Sequence, residues 1–281
     1  MKKHYELISD EEKNELIESF NMNTQIERIC KKDIRPISYD ELLNNATTEF
    51  IKCIESIKLI QEYLYDNLLK LKYFNDIAVT FKKYYESFYD KSIEYVCPFC
   101  GLDSLLTSKD LYREAFDHFL PKSVYPFVSF LRENLFPICY TCNSLYKNNK
   151  NPHDYGKSFY PFTTEINDCK LSFEIVSGVI EKTEITSNCF QEEIETWNGL
   201  FEIKNRINNF ADVNLNGWLS NITEVMDIYG VDYEHAIKAE IKLCKPIMQD
   251  HKFVKKAALE ALQAIEEDNT NTEEDKILLT S

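Results

Sequence analysis

Over most of the chain, apolar residues recur at helical spacing. "SDEEKNELIESF" begins on Ser9, a good N-cap residue, and acidic groups fill the turn that follows, so a short amphipathic helix is expected within 5–20. Ile54, Ile57, Ile60, Leu64, Leu68 and Leu71 recur every three or four residues and predict mostly helix over 38–72. A further helix is expected over 77–90, rich in Tyr, Phe and Lys; its aromatic stripe reads as core packing rather than a base-stacking surface. Helical spacing returns from about 190 to 265, with Gly230 as a stop signal.

Three stretches depart from that period. "KLSFEIVSGVIEKTEIT" alternates on either side of Ser177-Gly178 and predicts a β-hairpin over 170–186. The centre, 91–160, holds short apolar segments, prolines and paired cysteines. Residues 266–281 are polar and acidic and are expected to be disordered. The expected fold is mainly α with one β-hairpin and a small central module. It divides into 1–90, helical; 91–160, the module; 161–265, hairpin plus helices; and 266–281, the tail.

Composition narrows the class. The chain has 281 residues, 44% of them hydrophobic and 13% aromatic, enough to bury a sizeable core. No apolar run approaches the roughly 18 residues of a membrane span. The N-terminal "MKKHYELISDEEKN" turns acidic at once and has no apolar centre of the kind a signal peptide needs. A soluble, cytoplasmic protein with no membrane partner is expected. Nine cysteines, an odd number in a chain of this size, argue against a disulfide framework.

Four of those cysteines are paired. "CPFC" supplies Cys97 and Cys100, and "CYTC" supplies Cys139 and Cys142. Each C-x-x-C turn is a half-site, and two of them can hold one tetrahedral Zn²⁺. Buried reduced thiols or redox pairs are the alternative; two pairs, with Pro98 and Gly101 shaping the first turn, favour zinc. The long loop between the pairs must hold structure of its own.

That loop carries "AFDHFLPKSVYP", in which Asp117 and His118 are adjacent. On an extended segment their side chains point to opposite faces, so one can meet a metal and the other a substrate. Asn134 precedes the second cysteine pair, and Asn143 follows it directly. "FDHFLPKSVYP", then "ENLFPIC", then "CN" directly after a C-x-x-C, resembles the HNH branch of the ββα-metal nucleases, over roughly 97–150. The resemblance implies a strand–loop–strand–helix core stapled by structural zinc and holding one catalytic divalent cation. It gives His118 the role of general base and Asp117 that of metal ligand. Asn134 would orient the loop that holds the histidine, and Asn143 stands where many members carry a second histidine ligand. This H-N-N version resembles the HNH domain of CRISPR effector nucleases. Oxygen ligands suit Mg²⁺ or Mn²⁺. Members usually read C-N-x-x-K, whereas here Lys147 falls one residue late; Lys147, Lys150 and Lys122 are the candidate phosphate contacts.

The implied activity is metal-dependent hydrolysis of DNA phosphodiester bonds. A neutral histidine can take a proton from water at cellular pH. The formal net charge of −15 complicates that picture, because phosphate recognition calls for Lys and Arg. The charge is uneven: net −4 over 1–90, +1 over 91–160 and −12 over 161–281. Weak, salt-sensitive DNA binding is expected for the isolated chain, with a protein partner such as an ATPase or sensor supplying affinity. Similar HNH proteins accompany ATPases in bacterial antiphage systems of the Septu type, the setting the resemblance suggests. The alternatives are a non-catalytic zinc module that docks on another protein, and an RNA-cleaving toxin. His153 in "NPHDYG" reads as a loop residue, His4, His235 and His251 as surface residues, and Cys169 and Cys189 as core. Trp197 and Trp218 read as core or interface anchors.

Overall fold

The structure, a computed structural model, describes residues 1–67, 86, 96–106, 116–129, 131–162, 168–244 and 251–278. The described residues are mainly helical, with two small two-stranded antiparallel sheets. The helix expected over 77–90 lies outside them, residue 86 apart. Among them, no helix is long and apolar enough to cross a membrane.

Local chemistry explains the N-terminal helices. After a short turn at Lys2–Tyr5, α1 runs over Asp10–Asn23. Ser9 Oγ accepts from Glu12 N and Glu12 Oε2 accepts from Ser9 N, a reciprocal capping box. A short α2 spans Ile26–Cys30, and α3 covers Tyr39–Leu43. Ser38 and Glu41 repeat the box in front of α3. The stretch expected to be mostly helical is broken at Asn44, whose backbone is extended, and Asn45, at φ 59°; α4 then runs over Thr48–Asn67. Leu16, Leu42, Phe50, Cys53, Ile54 and Ile57 interlock as one apolar cluster.

The chain forms two compact units, Met1–Phe99 with Asp103–Glu165 and Glu195–Phe201, and Cys100–Leu102 with Ile166–Ile194 and Glu202–Ser281. The N-terminal helices and the central module share one core. Tyr39 N donates to Val124 O at 2.9 Å. The buried Asn23 donates through Nδ2 to Ile37 O at 2.8 Å and Pro126 O at 3.1 Å. Phe20 and Phe127 meet edge to face.

Within the module, β1 (Phe116–His118) pairs antiparallel with β2 (Leu135–Pro137), His118 opposite Leu135 and Asp117 opposite Phe136. Next comes α5, Thr141–Lys147, wound wider than an α-helix. Asn148 N donates to Asn143 O at 2.8 Å, an i→i+5 bond.

In the second unit, β3 (Lys170–Val176) and β4 (Val179–Thr186) form the expected hairpin. Ser177 and Gly178 take φ of 52° and 79°, the paired left-handed conformations of a tight hairpin turn. One helical pattern near 190–210 resolves into two helices, α6 (Gln191–Phe201) and α7 (Ile203–Tyr229), because Glu202 turns left-handed at φ 51°. Gly230, φ 63°, ends α7 by donating to Met226 O. Asp232 caps α8, Tyr233–Leu243. The last helix, α9, runs over Lys252–Leu278, so the expected disordered tail is helical up to Leu278. No Gly or Pro interrupts it, and extending a formed helix costs far less than nucleating a new one.

Candidate active site and metal centre

The two cysteine pairs come together. The Sγ atoms of Cys97, Cys100, Cys139 and Cys142 lie within 4.8 Å of one another, and all four residues are buried. Four sulfurs bound to one zinc at about 2.3 Å stand roughly 3.8 Å apart, so a modest contraction completes a tetrahedral site. The surroundings suit thiolate. Leu102 N donates to Cys100 Sγ at 3.4 Å, Cys142 N to Cys139 Sγ at 3.4 Å and Cys139 N to Cys97 Sγ at 3.5 Å. The first turn is closed by Cys97 N on Asp103 O at 2.8 Å and by left-handed Gly101, φ 64°. Asp103 Oδ2 accepts from Cys139 Sγ at 3.0 Å, a bond that would be lost if the thiol released its proton and bound a metal as thiolate.

Asp117 and His118 are both buried, at 8% and 9% exposure. The alternation of β1 sends them to different partners. His118 Nε2 is 3.0 Å from Ser129 O. A carbonyl only accepts, so Nε2 carries the hydrogen, and Nδ1 is the basic nitrogen of the neutral ring. Burial pushes the His118 pKa down to about 4; the Ser129 carbonyl opposes this, and the charges of Lys122 and Lys147 reinforce it.

Asn134 is wholly buried and clamps the β1–β2 connection. Its Oδ1 accepts from Leu120 N at 2.8 Å, and its Nδ2 donates to Leu120 O at 3.0 Å and Val128 O at 3.1 Å. Its carbonyl accepts from Phe119 N at 3.0 Å. Both ends of the loop beyond His118 are thus tied to one side chain.

The lysines differ from expectation. Lys147 is 2% exposed, with Nζ 2.9 Å from Asp117 Oδ2 and donating to His118 O at 3.0 Å. The contact with Asp117 is a buried ion pair, the ammonium being the charged group set against that carboxylate. Burial raises the Asp117 carboxyl above its ordinary pKa, and Lys147 pulls it back only in part. Lys147 is therefore the counter-charge of Asp117 and not a surface phosphate contact. Its late position in the sequence is matched by the wide winding of α5, which accommodates more residues per turn than an α-helix. Lys150 is also engaged. Its Nζ donates to Gly199 O at 3.0 Å and Leu200 O at 3.1 Å, at the C-terminal end of α6, where a cation is favoured. Lys122 is the partly exposed lysine that acts on His118.

Asn143 is half-buried in the first half of α5, its backbone bonded to Cys139 O and Asn148 N. The carboxylate of Asp117, held by Lys147, and the amide of Asn143 are the oxygen donors that the expected divalent cation would need. Other residues are corrected by the fold. Cys169 and Cys189 are exposed rather than core. His251 is half-buried, its Nε2 2.7 Å from Leu102 O beside the first cysteine pair, and its ring lies against Phe210. His153 lies 3.3 Å from Lys32 Nζ; burial, then that charge, lowers its pKa. Trp197 Nε1 donates to Phe99 O at 2.5 Å, anchoring α6 to the first cysteine turn.

Two residues with no motif around them also reach the site. Ser129 supplies the carbonyl to His118, and Gln61, from α4, holds the loop at Phe127 and Ser129. Gln61 and Ser129 lie 68 residues apart in sequence, so no local pattern connects them. Compared with protein-family models, with curated proteins and with solved structures, the chain matches none.

Proposed function

We propose that the chain is a metal-dependent endonuclease of the HNH kind, hydrolysing DNA phosphodiester bonds. The observation that carries the proposal is one strand holding a neutral, oriented imidazole beside a buried carboxylate, on a loop clamped by Asn134 and next to four clustered cysteines. Asp117 and Asn143 would hold Mg²⁺ or Mn²⁺, which supplies stabilisation of phosphate charge and of the leaving oxygen when bound. His118 Nδ1 takes the proton of the attacking water. The pKa of about 4 keeps the ring unprotonated at neutral pH, and a phosphodiester beside it favours the protonated form as the proton moves. Ser129 O holds the ring at Nε2, and Asn134 holds the backbone at Leu120 and Val128. Zinc on the four cysteines would fix β2 against α5, since Cys139 lies between them and Cys142 in the first turn of α5.

The charge distribution supports a partner. With net −15 overall and net +1 over 91–160, the chain has little of its own to hold DNA, which fits a bacterial antiphage setting in which an ATPase or sensor delivers the substrate. A competing reading, a zinc-stapled interaction module without catalysis, draws support from Lys147, which already neutralises Asp117. Plasmid nicking in Mg²⁺ or Mn²⁺ separates the two, with a structured RNA assayed in parallel. Loss of nicking in a His118→Ala, Asn143→Ala double variant supports the nuclease; nicking that survives unaltered sinks it.

A further inference from the structure

We infer that Gln61, on a helix outside the module that resembles the nuclease, is a positioning residue for His118. The inference rests on the reading of His118 as the base and adds a residue to that site. Gln61 is 7% exposed, and its Oε1 accepts two hydrogen bonds, from Phe127 N at 3.2 Å and Ser129 Oγ at 3.1 Å. Those two donors bracket Val128, whose carbonyl is held by Asn134. The next acceptor along the segment is Ser129 O, which takes the hydrogen of His118 Nε2.

The segment does not hold this shape by its own preference. Phe127 has φ 69°, a left-handed conformation that is strained for a side chain of its size. Such a conformation persists only where its surroundings over-determine it. Here they are the Gln61 bond to Phe127 N and the packing of the Phe127 ring on Phe20. Releasing Gln61 frees Phe127 to return to negative φ and turns the Ser129 carbonyl away from the imidazole. Nε2 then loses the acceptor that selects its hydrogen, and the two tautomers approach their intrinsic balance. A ring with hydrogen on Nδ1 presents no base to the water.

The test uses the full chain with Gln61→Met, which keeps length and removes the acceptor, and Gln61→Glu, which keeps an acceptor oxygen. Ser129→Ala, a small truncation that removes one of the two donors, serves as a second probe if Gln61→Met folds poorly. The direct readout is the His118 tautomer from ¹⁵N chemical shifts at neutral pH, taken without DNA or divalent cation. The expected result is Nε2–H in the wild type, at least a fivefold rise of Nδ1–H in Gln61→Met, a smaller rise in Ser129→Ala, and reversal in Gln61→Glu. The companion readout is nicking, with kcat lowered in Gln61→Met and KM unchanged. A tautomer that stays the same in Gln61→Met and Ser129→Ala overturns the inference, whatever the activity. A tautomer that shifts in a protein with no nicking activity leaves Gln61 as the positioning residue and removes the nuclease reading instead.

Discussion

Asp117 Oδ2 and Lys147 Nζ stand 2.9 Å apart, with the Lys147 side chain 2% exposed and that of Asp117 10%. The pair joins β1 to the end of α5 and puts a monovalent charge beside the carboxylate that the nuclease reading assigns to a divalent cation. The ammonium and such a cation therefore compete for one carboxylate.

That competition makes a prediction for Lys147→Met. Removing one member of a buried ion pair costs roughly 3–5 kcal/mol, and the lower end applies here because Asp117 can take up a proton. In chelator, the variant is expected to melt well below the wild type. Added Mn²⁺ should raise the variant's Tm more than the wild type's, because the cation replaces the missing charge. Equal shifts in thermal scans of both proteins would mean that Asp117 is not a cation ligand.

The cysteine cluster predicts one tightly bound zinc per chain. Elemental analysis of purified protein should find close to one equivalent, and less than a fifth of that in Cys139→Ser. Chelation under denaturing stress should lower thermal stability markedly, since a structural zinc contributes to folding directly. Four cysteines that remain freely reactive in the native protein would argue for plain buried thiols.

His118 makes stability depend on pH. Its folded pKa, about 4, lies below the unfolded value near 6.5, so between these pH values the unfolded chain binds more protons. Its contribution is fully present above about 6.5 and is lost as pH falls toward 4. The raised Asp117 acts in the opposite sense, which makes a difference measurement necessary. The unfolding free energy of wild type minus that of His118→Ala should fall by about 3 kcal/mol between pH 7 and pH 4. A flat difference in urea titrations would place the imidazole in water.

Asn134→Asp tests the clamp. The substitution keeps size and the acceptor for Leu120 N but turns a donor into an acceptor facing Leu120 O and Val128 O. Leaving two buried carbonyls opposed to an oxygen is expected to cost about 3 kcal/mol. Protease cleavage between 119 and 134 should rise accordingly. Wild-type resistance in the variant would show that the loop holds its shape without Asn134.

Much of the molecule follows from short-range chemistry that the sequence displays by itself. Ser9 with Glu12, alternation around Ser177-Gly178, Gly230 after an apolar period and two C-x-x-C turns each act within a few residues, so their patterns can be read without a fold. Tertiary structure alone decided the rest. The sequence shows that Lys147 is out of place by one residue, but only the wide turn of α5 and the packing around β1 bury it against Asp117. It shows Gln61 as one of several polar positions on an amphipathic helix, but its partners are 66 and 68 residues away. Contacts at that separation depend on which cores form together. The N-terminal helices and the module share one core because the buried Asn23 and Tyr39 and the half-buried Phe127 tie them, and none of these residues marks itself locally as a junction.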